Sequence, residues 1–319
     1  MLCGAGLRST KLIDFKSVMS SVGVFRAHIA LVGCNIVWAC DYPLYNLLLG
    51  RYISPMAMVC ASLVVAAALS WLPRLWERGE RIERSDWALI AIAALMMGVV
   101  RKGMMMFGLS RTSPIDGSII ATLVPLLVLI VSVVSGEERF TARKGVGLIF
   151  GLTGALAVVL TSSNADHTHS ELWGNVMMVC SGVVTALYMV FFKRLVAKYR
   201  VTTLLRAIYT ISAVVMLPVG WHSVVTVDLT ALEGHHLWLA AAFVLIVPTY
   251  LPNLLLNYSL RYVQPTVTSI YTYIQPILAV VLSVAMGLDR LHLDTLLFAL
   301  MIFTGVWLVI GSNAEQHTG

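Results

Sequence analysis

Charge is scarce in this chain. Asp, Glu, Lys and Arg make up 12% of its 319 residues, against about 25% in a soluble domain, and the mean hydropathy is +0.85. A soluble globular protein is therefore excluded. Strand-like alternation of apolar and polar residues is also lacking, which argues against an outer-membrane barrel. Of five cysteines, Cys34, Cys40, Cys60 and Cys180 fall in apolar runs and Cys3 near the N-terminus, so no outer-loop pair is expected to form a disulfide. HExxH, Ser–His–Asp and phosphate-loop patterns are missing, and with them any basis for expecting an enzyme, a cofactor or a resident metal. The histidines of DHTH (166–169) and the pair His235–His236 lie in loops without a ligand framework and read as solvated.

What the chain has in plenty is long apolar runs. About 20 such residues cross the hydrocarbon core as a helix, and the pattern predicts ten spans, at 27–48, 53–73, 86–109, 113–135, 142–161, 173–193, 203–221, 237–258, 264–286 and 293–312. Residues 1–26 read as an N-terminal tail, with Met1 or Met19 as the start, and the first span as retained rather than cleaved. The net charge of +6 reflects orientation in a bilayer rather than nucleic-acid binding. Seventeen Lys and Arg lie in the tail and in the connections on one side, whereas Arg51, Arg111 and Arg290 alone lie on the other. That bias places both termini in the cytoplasm of a multi-pass cell-membrane protein, the bacterial inner membrane being the expected site.

A repeat runs through these spans. LSRTSPIDGSIIATLVPLLVLIVSVVSGEERF starts at Leu109 and LRYVQPTVTSIYTYIQPILAVVLSVAMGLDRL at Leu260. A constant shift of 151 residues places Pro114 on Pro265, Ser118 on Ser269, Pro125 on Pro276, Gly136 on Gly287, Arg139 on Arg290 and Gly154 on Gly305. The organisation expected is an all-α membrane protein of two five-helix repeats, 27–161 and 173–312, with a linker at 162–172 and a C-terminal tail at 313–319. Five is odd, so the second repeat enters the membrane inverted, an architecture associated with alternating access and a mid-membrane site.

Two copies of apolar helix, proline, about eleven residues, Gly-x-[Glu/Asp]-Arg and a Gly-rich helix resemble the drug/metabolite transporter superfamily, EamA family. The acid is Glu138 in the first copy and Asp289 in the second. The resemblance implies that spans 3, 4, 8 and 9, with 1 and 6, line a central cavity and that spans 5 and 10 pack behind. It implies export of a small organic metabolite, an amino acid or another anion-bearing compound. Monomer or weak homodimer, a lipid bilayer and a coupling proton complete the expected partners.

Candidate site residues follow from cost. In GVVRKGMMMFG (98–108), Arg101 and Lys102 stand inside a span, where each charge costs roughly 2.5–3.5 kcal/mol. Ending the helix at Val100 would leave about 22 Å against a core of roughly 30 Å, so the pair is intramembrane. Asp41 and Asp116 are the acids expected at similar depth. Two readings stay open: a structural ion-pair network in a non-transporting scaffold or sensor, or a substrate site with one cation free for an anion. Trp38, Tyr271 and Tyr273 fall too deep for interfacial anchors and are candidate cavity walls. Asn253 is the repeat counterpart of Lys102. Pro125 and Pro276 kink their helices and are candidate hinges. Glu138 and Arg139, before the Thr141 cap, read as structural, and the small face of Gly147, Gly151 and Gly154 reads as packing against span 10.

Overall fold

The computed structural model describes residues 6–77, 79–161, 171–234, 237–288 and 293–316. Among them there is no strand, only an isolated bridge between Leu49 and Ile53. The longer helical stretches are α1 (Gly6–Leu48), α2 (Pro55–Leu75), α3 (Arg84–Leu109), α4 (Pro114–Val134), α5 (Ala142–Thr161), α6 (Leu172–Phe191), α7 (Val201–Val225), α8 (Trp238–Ser259), α9 (Pro265–Ala285) and α10 (Leu293–Gln316). Eight of them, α1 to α4 and α6 to α9, are long and apolar enough to cross a membrane among the described residues. In α10 the apolar stretch is the shorter Leu296–Gly305 among the described residues. α1 starts well before the span expected at 27, so residues 6–26 continue that helix. The second-copy pair Asp289–Arg290, DHTH and His235–His236 lie outside the described residues.

Local chemistry sets the helix ends. Ser54 caps α2, its Oγ accepting from the Ala57 N–H at 3.2 Å, and Ser113 caps α4, accepting from Asp116 N–H at 3.1 Å. Pro55, Pro114 and Pro265 occupy first-turn positions, where the missing N–H costs nothing. α4 and α9 end alike. Gly136 and Gly287 take φ of 76° and 65°, and the next residue donates its N–H back to Ser132 O (2.8 Å) and Ser283 O (2.9 Å). This is the left-handed cap that glycine alone adopts without strain, and it explains the glycine of the repeated motif. Thr141 caps α5 as expected, accepting from Lys144 N–H at 3.3 Å.

Packing follows a reciprocal scheme. α1 lies on α8 and α3 on α6; α2 lies on α7, α4 on α9, and α5 on α10. Pro114–Ala121 packs on Ile274–Ala285 and Pro265–Ile270 on Val124–Val134, so α4 and α9 cross antiparallel. At their crossing Tyr273 Oη donates to the carbonyl of Thr122 at 3.3 Å, its own counterpart under the shift. Between α5 and α10, a Cβ on Gly154 would meet Phe298 O at 2.9 Å, and one on Gly305 would meet Gly147 O at 2.4 Å. Phe298 is the counterpart of Gly147, so the two contacts mirror each other. Outward-facing Ile149 (67% exposed), Val214 (66%) and Trp307 (64%) present an apolar perimeter suited to lipid rather than water.

Candidate functional site

The first half of α3 prepares the charged pair. Ala94–Arg101 is a π-helical stretch, a feature concentrated at functional sites. Ser212 of α7 donates to Ala94 O at 2.9 Å and to Ile208 O at 2.8 Å, and Gly98 gives it room: a Cβ there would lie 2.0 Å from Ser212 Oγ. The widened turn ends at Arg101, and Lys102 begins the following α-helical segment.

The two cations have different surroundings. Lys102 is 7% exposed, donates to Tyr45 Oη at 3.0 Å and lies 5.1 Å from that ring's centroid. Tyr45 in turn donates to Val244 O at 3.3 Å, a carbonyl whose helical partner is lost because Pro248 has no N–H. Arg101 is looser. Its Nη1 lies 3.8 Å from Met105 Sδ, and its buried Nε has no hydrogen-bond partner. Among the described residues neither cation has a carboxylate within ion-pair distance. Asp41 is 2% exposed and its Oδ1 is buried without a hydrogen bond.

Two cavities meet at this point. The first is lined by Asp41, Arg101, Lys102, Asn253, Tyr188 and Asn257 among others, from α1, α2, α3, α6, α7 and α8. The second lies between α1, α3, α4, α6, α8 and α9. Arg101, Trp38 and Met105 line both and form the partition. Ala121 and Thr272 line the second cavity. They stand four residues before Pro125 and Pro276, so each carries the carbonyl its proline cannot engage. The helices yield at these places: α4 is interrupted at Thr122–Leu123, and α9 tightens into a 3-10 turn at Tyr271–Tyr273.

Of the expected site residues, Trp38, Asp41, Arg101, Lys102 and Asn253 come together at the first cavity. Three do not line either cavity. Asp116 sits in the capped first turn of α4, where the helix dipole favours an acid; the cavity-lining part of α4 begins at Ala121, about 7.5 Å further along the axis. The 3-10 turn directs Thr272 to the cavity and its flanking tyrosines away: Tyr271 Oη bonds His28 Nδ1 at 2.6 Å, and Tyr273 stands edge-on to Phe303, 5.1 Å between centroids. Glu138 goes beyond a helix-end role. It pairs with the fully buried Lys144 at 3.1 Å and bonds Thr266 of α9. Sequence reading missed the amides. Tyr42 Oη donates to Gln275 Oε1 (2.9 Å), Gln275 Nε2 to Asn35 Oδ1 (2.6 Å), and Asn35 Nδ2 to Leu31 O (2.7 Å). Isolated amides in apolar runs, Asn35, Asn257 and Gln275, were the available signal.

The described residues thus form a helical bundle with an apolar perimeter suited to lipid and two adjoining internal cavities. The model of the EamA-like transporter family matches residues 25–160 and 172–311. The chain belongs to the EamA-like transporter family. The uncharacterized transporter YyaM of Bacillus subtilis is 25% identical over 88% of this chain and 92% of its own length. The uncharacterized inner membrane transporter YedA of Escherichia coli is 24% identical over 88% and 90%. A solved crystal structure shares the fold at TM-score 0.60 and 18% identity, over 89% of this chain and 96% of that one. This EamA-like protein is thus a multi-pass membrane protein of a transporter family, which accords with its lack of enzyme motifs.

Proposed function

We propose that this protein is a ten-span secondary transporter that exports a small organic solute bearing an anionic group by alternating access. The observation that carries this reading is Arg101, a half-buried guanidinium that lines two cavities, with its Nε buried and unbonded and no carboxylate within ion-pair distance among the described residues. A charge inside a membrane span is costly, and intramembrane charges of this kind mark substrate paths. Lys102 is held by Tyr45, so Arg101 is the cation available to a solute. The two inverted repeats, 27–161 and 173–312, are supported by the two segments that the family model matches, the antiparallel α4–α9 crossing and the mirrored glycine contacts of α5 and α10. The basic bias supports cytoplasmic termini.

Asp41 is the group placed to carry a coupling proton, since its buried Oδ1 has no hydrogen bond and shares a cavity with Arg101. Asp41→Asn is expected to keep solute exchange across proteoliposomes while losing accumulation driven by a pH gradient. Wild-type pH-driven accumulation by this variant would remove Asp41 from coupling. The paired breaks at Pro125 and Pro276 supply the bending points. Pro125→Ala with Pro276→Ala is expected to slow flux roughly ten-fold, about 1.4 kcal/mol on the barrier, at normal folded yield. Wild-type flux in the double variant would make the bends static packing features.

A further inference from the structure

Resting on the anion reading above, we infer that the solute is a monoanion with an apolar body, seated in the second cavity with its charge on Arg101, and not a zwitterion. The cavity's polar groups are largely engaged with the protein itself. Ser181 Oγ donates to Arg101 O at 3.2 Å, Thr185 to Ser181 O at 2.9 Å, Ser269 to Thr266 O at 2.8 Å and Thr272 to Ser269 O at 2.6 Å. Tyr42, Gln275 and Asn35 form the chain described above. What remains open includes the Arg101 guanidinium, the Thr268 hydroxyl, buried without a hydrogen bond, and the neutral carbonyls of Ala121 and Thr272 left by the two prolines. The rest of the wall includes Trp38, Met105, Met178, Met189, Val124 and Leu256, polarizable and adaptable surface that suits an aromatic or aliphatic body.

Three solute classes fit poorly. A polyhydroxylated solute would bury more hydroxyls than this largely apolar lining has open donors to match, and each unmatched hydroxyl is costly. A dianion would face a single guanidinium. An α-amino acid would bring an ammonium into a cavity whose lining holds no carboxylate; the acid at hand, Asp41, lines the first cavity beyond the Arg101–Trp38–Met105 partition. Asp41 and Lys102 then act as the charge balance behind Arg101, and the solute anion meets its front.

Three probes with one phenyl-ethyl skeleton separate these cases: 3-phenylpropanoate, L-phenylalanine and phenethylamine. Their affinity for the purified full-length protein is measured by calorimetry, with inorganic phosphate alongside. The expected result is binding of 3-phenylpropanoate at least about ten-fold tighter than phenylalanine, no binding of phenethylamine, and loss of binding in Arg101→Ala. Thr185→Phe, which fills the second cavity and leaves the lining of the first intact, should also abolish it at normal folded yield. Equal or tighter binding of phenylalanine, or phosphate binding at Arg101 with neither acid bound, would overturn this inference and leave the anion reading standing. Retention of 3-phenylpropanoate by Thr185→Phe would do the same by placing the solute elsewhere. Binding of phenethylamine alone, or acid binding indifferent to Arg101→Ala, would overturn both.

Discussion

Arg101→Ala is expected to lower counterflow of a bound organic anion in proteoliposomes by about two orders of magnitude. Removing one member of a buried charge pair costs roughly 2–5 kcal/mol, and about 2.7 kcal/mol is a hundred-fold. Arg101→Lys should fall between, because it keeps the charge and loses the planar two-point fork. Lys102→Ala should act differently. Its ammonium is bound to Tyr45 Oη at 3.0 Å, so its loss should reduce folded yield and leave flux per folded molecule within a few-fold of wild type. The measurement is flux normalised to folded protein for all three variants. Full flux in Arg101→Ala would mean that the solute never meets this charge.

The second large effect concerns the frame. Gly305→Val should sharply reduce folded, monodisperse protein, since a Cβ there would lie 2.4 Å from Gly147 O and 2.5 Å from Gly151 N. Backbone cannot move aside as a flexible side chain does, and overpacking costs typically ~1–3 kcal/mol even where it can. Gly154→Ala meets Phe298 O and Met301 Cβ, both at 2.9 Å, and should produce a smaller fall in melting temperature. Close approach of small residues is the main way membrane helices pack. An unchanged melting temperature in Gly305→Val would mean that α5 and α10 do not meet at these glycines.

Much of this architecture was legible as punctuation. Pro125 with Pro276, Gly136 with Gly287, and Gly154 with Gly305 were visible at one spacing, and each pair has a matching structural role: a helix break, a left-handed cap and a close helix contact. Arg101, Lys102 and Asp41 were legible because charge inside an apolar run is conspicuous. Orientation around a helix was not. Asp116 looked equivalent to Asp41 by type and depth, yet its first-turn position serves the helix end. Tyr271 and Tyr273 looked like cavity walls because they lie too deep for interfacial anchors; the 3-10 turn points them away and brings Thr272 to the cavity instead. The π-helical stretch before Arg101 depends on Ser212 of a distant helix, and no local pattern announces it. The amide chain from Tyr42 to Asn35 joins residues more than 200 positions apart, which spacing within one span does not reveal.

The same long-range pairing joins the proposed halves through a surface ion-pair cluster, which in the proposed mechanism acts as a latch. Lys198 lies 2.7 Å from both Glu83 and Asp86, Tyr199 bonds Asp86 at 2.5 Å, and Thr202 bonds Glu77 at 2.7 Å. The hydrogen bonds that the Lys198 ammonium donates to Asp86 and Glu83 hold its pKa well above the usual lysine range. Its side chain is 42% exposed, so the latch is weak in energy and able to open. Alternating access requires it to open once in each transport cycle.

The most direct test of alternating access is therefore flux with this latch fixed shut. Glu83→Cys and Lys198→Cys are introduced into a cysteine-free background, joined by a short cleavable thiol–thiol cross-linker, and assayed for anion counterflow in proteoliposomes before and after cleavage. The account predicts no flux while the cross-link is intact and recovery to the uncross-linked rate once it is cut. Undiminished flux in the cross-linked protein would contradict the account, because the two halves would then move solute without separating at this face.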